Sequence, residues 1–351
     1  MMGKLKKLTG YRLFLPLSCL IIVLLINLIT TPTFFRITIN NGVLYGYIID
    51  VINRASELVV LAVGMTLVVS ASAGTDISVG AVMAVAAAVC TRVLAGGEVS
   101  VNEYANPYVL AVLAALAAAV VCGGFNGFLV AKLKIQPMVA TLILFTAGRG
   151  ISKLVTNGQI TYIRVDGYKL LGNNIPGIPI PTPIFVAVIV VVLTYILLKK
   201  TAMGMYIQSV GINERASRLV GLKSVKIIWM AYAFCGLCAG IAGLVASSRI
   251  YSADANNIGL NMELDAIAAV ALGGNSLGGG RFSLLGSVIG AYTIQALTTT
   301  LYAMSVPADQ IPVYKAIVVI LIVAVQSEEL KKFRKRLASR HSSKNVEGGV
   351  A

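Results

Sequence analysis

Gly204-Met205-Tyr206-Ile207-Gln208-Ser209-Val210-Gly211-Ile212-Asn213-Glu214-Arg215-Ala216-Ser217-Arg218-Leu219-Val220-Gly221 is charged, helix-forming and bracketed by glycines. Most of the remaining sequence is apolar enough for lipid. The stretch therefore reads as a short amphipathic helix outside a bilayer, between segments that lie within one.

The flanking composition supports this. Of 351 residues, 57% are hydrophobic and 12% charged, whereas soluble domains carry about 25% charged residues. The apolar residues fall in runs of membrane length, roughly 13–30, 48–72, 77–95, 107–131, 136–155, 182–198, 226–248, 262–275, 283–304 and 312–327. A bilayer core about 30 Å thick takes roughly 20 residues per helix. The alternating pattern of an outer-membrane barrel is absent. The fold class is all-α: a polytopic membrane protein of about ten transmembrane helices. The run 262–275 is short and carries Glu263 and Asp265, so a half-length or re-entrant segment buried in protein is an alternative to a full span.

The net charge of +15 is no sign of nucleic-acid binding, because the basic residues cluster at the termini and in a few loops. Lys4, Lys6, Lys7 and Arg12 precede the first run, and Lys331, Lys332, Arg334, Lys335, Arg336 and Arg340 follow the last. Positive loops stay cytoplasmic, which places both termini inside and requires an even number of spans. With ten, Lys132, Lys134, Lys199, Lys200, Arg215, Arg218, Lys223, Lys226 and Arg281 all fall inside. Loops 31–47, 96–106 and 156–181 fall outside. The expected organisation is a basic cytoplasmic N-terminus (1–12), a membrane domain (13–327) with the loop 199–225, and a basic, disordered tail (328–351). No small-residue cleavage site follows the first run, so it reads as a retained helix.

The five cysteines lie in apolar stretches, and Cys235-Gly236-Leu237-Cys238 lacks the strand-to-helix setting of a redox motif. They read as packing residues. The single histidine, His341, is in the tail. Three glycine pairs at four-residue spacing, Gly123/Gly127, Gly236/Gly240 and Gly286/Gly290, mark helix faces of close approach.

Within the loop helix, Glu214 and Arg218 are spaced for an i,i+4 pair. Asn213 suits a helix cap, and Gly211 and Gly221 suit helix ends. Ile207, Val210, Ala216, Leu219 and Val220 can form an apolar side. By spacing alone, an interfacial helix on the headgroups fits equally well. Elsewhere, Asp50, Arg54 and Glu57 can pair along one helix face, with substrate contact as the alternative, and Asp76 is placed to cap a helix starting at Ile77. Arg149 can snorkel, face a pathway or meet an external partner. Glu263 and Asp265 complement a helix N-terminus, with a gating or pathway role as the alternative.

The loop resembles the cytoplasmic coupling loop of binding-protein-dependent ABC importer permeases, whose Glu-Ala-Ala-like signature is followed by glycine. Glu214, Ala216 and Gly221 hold those places, and Arg215 stands where alanine is usual. The stretches Gly64–Gly80, Ile135–Leu142, Ala147–Gly150 and Leu272–Phe282 are similar to signatures of the ribose-type sugar permeases. Ala73 stands where that signature usually has a glycine. The resemblance runs from about Gly42 to Gln326, and Asp254–Leu260 with Glu263-Leu264-Asp265 is most similar to the galactofuranose subgroup.

The resemblance implies a non-enzymatic permease in the bacterial inner membrane that passes galactofuranose or a related hexose or pentose. Its implied partners are a cytoplasmic ABC ATPase, a periplasmic sugar-binding protein, and a second copy or a sister permease. The chain has no Gly-x-x-x-x-Gly-Lys-Ser/Thr, so ATP and magnesium would bind the ATPase subunit. A sugar path calls for uncharged hydrogen-bonding groups, for which Asn126, Gln136, Thr141, Thr146, Asn275 and Gln295 are candidates; helix-to-helix bonding is the alternative use of each. An ion-coupled secondary transporter of a small polar solute would need acidic relays in mid-helix, and mid-span positions read as free of them. A membrane-embedded enzyme would need a nucleophile–base or metal constellation, which is not found.

Overall fold

A computed structural model describes residues 13–40 and 42–326. The basic termini and His341 lie outside the described residues. Each apolar run forms a helix: α1 (Phe14–Thr30), α2 (Tyr47–Ser72), α3 (Val79–Ala95), α4 (Tyr108–Ala131), α5 (Pro137–Val155), α6 (Thr182–Lys200), α9 (Ser224–Ile250), α10 (Met262–Leu272), α11 (Leu284–Ala303) and α12 (Ile311–Gln326). The polar loop supplies α7 (Met203–Ile212) and α8 (Glu214–Leu219). Among the described residues, six helices, α2, α4, α5, α6, α9 and α11, are long and apolar enough to cross a membrane. The segment α10 has 11 residues. At 1.5 Å per residue it reaches about half the hydrocarbon thickness.

The core forms around α2, which is buried along most of its length and packs against α6, α9 and α11. The glycine pairs explain how α4 comes close to α9 and α10 to α11. Gly123 on α4 and Gly236 on α9 face each other, and a side chain on either would strike the other helix's backbone. Gly286 and Gly290 on α11 press in the same way on Gly273 and Ala269 at α10. Without water to drive apolar association, backbone proximity and dispersion hold such crossings. Cys235 and Cys238 are buried against Gly64 of α2, as packing residues would be.

The loops sort onto two faces. Strands β3 (Ser100–Val101), β4 (Thr161–Ile163) and β5 (Ser252–Ala253) form one sheet, parallel then antiparallel. That sheet joins loops from three parts of the chain. The hairpin of β1 (Thr38–Asn40) and β2 (Val43–Tyr45) bonds to the same region through Leu44 N–H and Pro179 O. Three loops read as external thus share one face. On the opposite face, Ala73 touches Gly279, and Lys134 touches Glu214.

One pairing and one helix start differ from the expectation from spacing. Glu57 forms its ion pair with Arg249 of α9 at 3.0 Å, not with Arg54. An inter-helix guanidinium reaches it where the core closes, with both side chains less than a fifth exposed. Helix α3 starts at Val79, not Ile77. Asp76 is not at a rim: its backbone N–H lies 3.5 Å from Met65 Sδ, so the turn after α2 folds back along that helix.

Candidate functional site: the loop helices and the turns beneath them

Helices α7 and α8 are separated by one extended residue, Asn213. Its Oδ1 accepts the Ala216 N–H at 3.0 Å, satisfying one of the free donors of the second helix. Glu214 sits in the first turn and Arg218 in the last, where each suits the helix dipole. Gly221 adopts φ +84°, a conformation that glycine takes without steric cost. Gly211 lies in the last turn of α7, one residue before its end. A Cβ there would overlap the Ser70 carbonyl oxygen, so glycine is needed for close approach.

Glu214 is the hub. Its Oε1 accepts hydrogen bonds from Lys134 Nζ, from Arg218 Nη2 and, at 3.3 Å, from Ser224 Oγ. Arg218 Nε donates to Ser224 Oγ at 2.8 Å. One carboxylate therefore ties the α4–α5 turn, α8 and the start of α9 together. Burial pushes the Glu214 carboxyl up, but bonds and charge from Lys134 and Arg218 outweigh it and hold the carboxyl below its ordinary range. Lys134, at φ +57°, entered the sequence reading only as a basic residue of an inner loop, and Ser224 was not singled out; its only signal is closeness to the start of an apolar run.

The expected apolar side is split in two. Ile207 and Val210 are buried, but Leu219 is 89% and Val220 77% exposed. Ala216 and Arg215 are also exposed. The loop thus presents an apolar tip beside a cation, while Glu214 faces inward to its own chain.

Beneath the loop, Ser70 O accepts the Gly280 N–H at 3.0 Å. The Gly279–Gly280 turn leads to Asn275, which donates to Val270 O at 3.1 Å and to Ser287 Oγ at 2.7 Å. Ser287 Oγ meets Thr66 Oγ1 of α2 at 2.6 Å. Asn275 Oδ1 accepts the Ser283 N–H at 2.5 Å. A hydrogen-bonded chain therefore runs from under α7 into the helical core.

The other candidate residues divide into groups. Asp76 accepts from Ser78 N–H at 2.9 Å and Ser78 Oγ at 2.6 Å. Asn126 donates to Ser78 Oγ at 2.8 Å, and Thr141 Oγ1 accepts the Ile77 N–H at 3.3 Å. The structure gathers Asp76, Asn126 and Thr141 around one buried turn. Arg149 does not snorkel; it donates to the carbonyls of Ala255 and Ile258. A guanidinium fork suits two carbonyls of non-helical backbone. Glu263 is buried near Gly80, while Asp265 pairs with Lys315 at 2.7 Å. Asp76, in the turn after α2, and Glu263, in the first turn of α10, are both buried, at 2% and 4% exposed, and neither stands in mid-helix.

Gln136 lines a cleft of about 260 Å³ with Lys134, Gly211 and Glu214. Thr146 is on an exposed face of α5. Gln295 donates to Thr299 on its own helix at 3.3 Å. These last two join neither group.

Comparison with known proteins adds to this geometry. Residues 47–326 match the family described as branched-chain amino acid transport system/permease component. The galactofuranose transporter permease protein YtfT of Escherichia coli (strain K12) is 44% identical over 324 residues, 92% of each chain. The fructose import permease protein FruF of Bifidobacterium longum (strain NCC 2705) is 37% identical over 99% of this chain and 96% of its own. The ribose import permease protein RbsC of Escherichia coli (strain K12) is 35% identical over 89% and 93%. No solved structure matches the chain.

Proposed function

We propose, from the premise that this chain belongs to the branched-chain amino acid transport system/permease component family, that it is the membrane-spanning permease subunit of a sugar importer and passes a monosaccharide. It is a transport component, not an enzyme. The near full-length similarity to galactofuranose, fructose and ribose permeases supports the monosaccharide class. Galactofuranose or a related hexose or pentose is the proposed solute. Transport is ATP-driven: a separate cytoplasmic ABC ATPase binds ATP and magnesium, and a periplasmic binding protein delivers the sugar. The permease pairs with a second copy or a sister chain. It lies in the bacterial inner membrane with ten helices and both termini in the cytoplasm.

The observation that carries this reading is the build of the loop. Glu214 locks α8 to the α4–α5 turn and to α9, while Leu219 and Val220 project outward with Arg215 beside them. A rigidly anchored helix with an apolar tip transmits a push from the ATPase to the core without unfolding. The loop 199–225 is the coupling loop, built on Gly211, Asn213, Glu214, Arg215, Ala216, Arg218 and Gly221. The 76–78 turn, with Asn126 and Thr141, is the proposed element that responds along the path.

The test is reconstitution of the permease with its ATPase and binding protein, followed by labelled-sugar uptake. Glu214→Lys and Gly221→Asp should each abolish uptake and uncouple ATP hydrolysis from the binding protein. Wild-type uptake by both variants would remove the coupling role.

A further inference from the structure

A groove of about 320 Å³ opens between α4 and α9, on the same face as the coupling loop. Lys132, Lys223 and Lys226 rim it, Phe128 and Trp229 wall it, and Gly127 forms its floor. No carboxylate lines the groove, and among the described residues no ion pair engages these lysines. Lys132 Nζ stands 5.6 Å from the Phe128 ring centroid, within cation–π range. The indole of Trp229 lies over Gly124, where a Cβ would meet it at 3.4 Å. Glycines on α4 therefore make room for the aromatic wall.

The groove continues into an apolar track. Phe125 and Val121, one and two turns along α4, are 46% and 70% exposed. This juxtaposition of three uncompensated cations, a tryptophan and an apolar ridge running away from them has the polarity of a phospholipid. Tryptophan prefers the membrane interface, and basic pockets between membrane helices on the cytoplasmic side take anionic headgroups.

We infer that the α4–α9 groove binds one anionic phospholipid of the cytoplasmic leaflet. The lysines hold its phosphate, and an acyl chain lies along Trp229, Phe125 and Val121. The apolar ridge favours lipid over an acidic protein segment, which would have no use for it.

Trp229 is the only tryptophan of the chain, so its fluorescence reports on the groove directly. The full-length protein is reconstituted with phosphatidylglycerol or phosphatidylcholine carrying brominated acyl chains. Phosphatidylglycerol should quench Trp229 at a mole fraction on the order of tenfold lower than phosphatidylcholine. That preference should shrink with added salt. In the K132Q/K223Q/K226Q variant it should fall towards unity, while quenching at saturating lipid persists. Each single glutamine variant should lose part of the preference, which keeps the test decisive if the triple variant misfolds. Equal quenching by the two lipids in the wild type would overturn the proposal. So would displacement of phosphatidylglycerol by inorganic phosphate, which would mark a free-anion site. A triple variant that keeps its lipid preference but loses its ATPase would assign the lysines to that partner and likewise overturn it.

Discussion

Gly211 lies against the carbonyl oxygen of Ser70, so the loop helix α7 meets the buried helix α2 backbone to backbone. The same oxygen accepts the Gly280 N–H. Three segments distant in sequence thus close on one atom beneath the loop helices. Any side chain at position 211 must push them apart.

Gly211→Ala should therefore destabilise the permease by about 1–3 kcal/mol, the usual range for overpacking, and reduce uptake. Gly278→Ala is the matched control, since a Cβ there meets only Ser276 Oγ at 3.4 Å. Thermal unfolding of the two purified variants checks this. Equal melting temperatures would refute the close-contact role of Gly211.

The Glu214 hub predicts a pH dependence. Burial raises its carboxyl, but the bonds and charges from Lys134 and Arg218 outweigh that and leave it below 4.5. A carboxylate held low contributes its full stabilisation above its unfolded value and loses it as pH falls through the folded one. Protection of residues 203–221 from proteolysis should be flat from about pH 8 to about pH 5 and decline below about pH 4.5. Glu214→Gln should lack that acid-dependent step.

Leu219 and Val220 make no buried contact in this chain. Leu219→Asp and Val220→Asp should leave stability within about 0.5 kcal/mol. Both should still weaken association with the ATPase subunit, measured by co-purification. Unchanged association would place the docking surface elsewhere on the loop.

The Glu57–Arg249 pair, 13% and 18% exposed, predicts an asymmetry between single and double changes. Glu57→Ala strands a buried guanidinium and should cost about 3–5 kcal/mol. Replacing both residues by leucine should cost much less, because no buried charge remains. Thermal unfolding of the single and double variants compares the two.

The helical class and the ten apolar segments follow from the sequence itself, because hydropathy over twenty residues is a local property. The Asn213 cap and the Glu214–Arg218 pair were legible for the same reason: both join residues within one turn of helix. The resemblance of short glycine-containing stretches also survived, since those glycines sit where backbones touch. Only the tertiary structure decided that Glu57 turns to Arg249 instead of Arg54, that Asp76 and Glu263 are buried, and that Glu214 is shared with Lys134 and Ser224. It alone divided Ile207 and Val210 from Leu219 and Val220, which one helical pattern had joined. Those outcomes depend on which faces the packed helices bring together, and a side chain's partner across such a contact is fixed by three-dimensional proximity, which spacing along the chain does not encode.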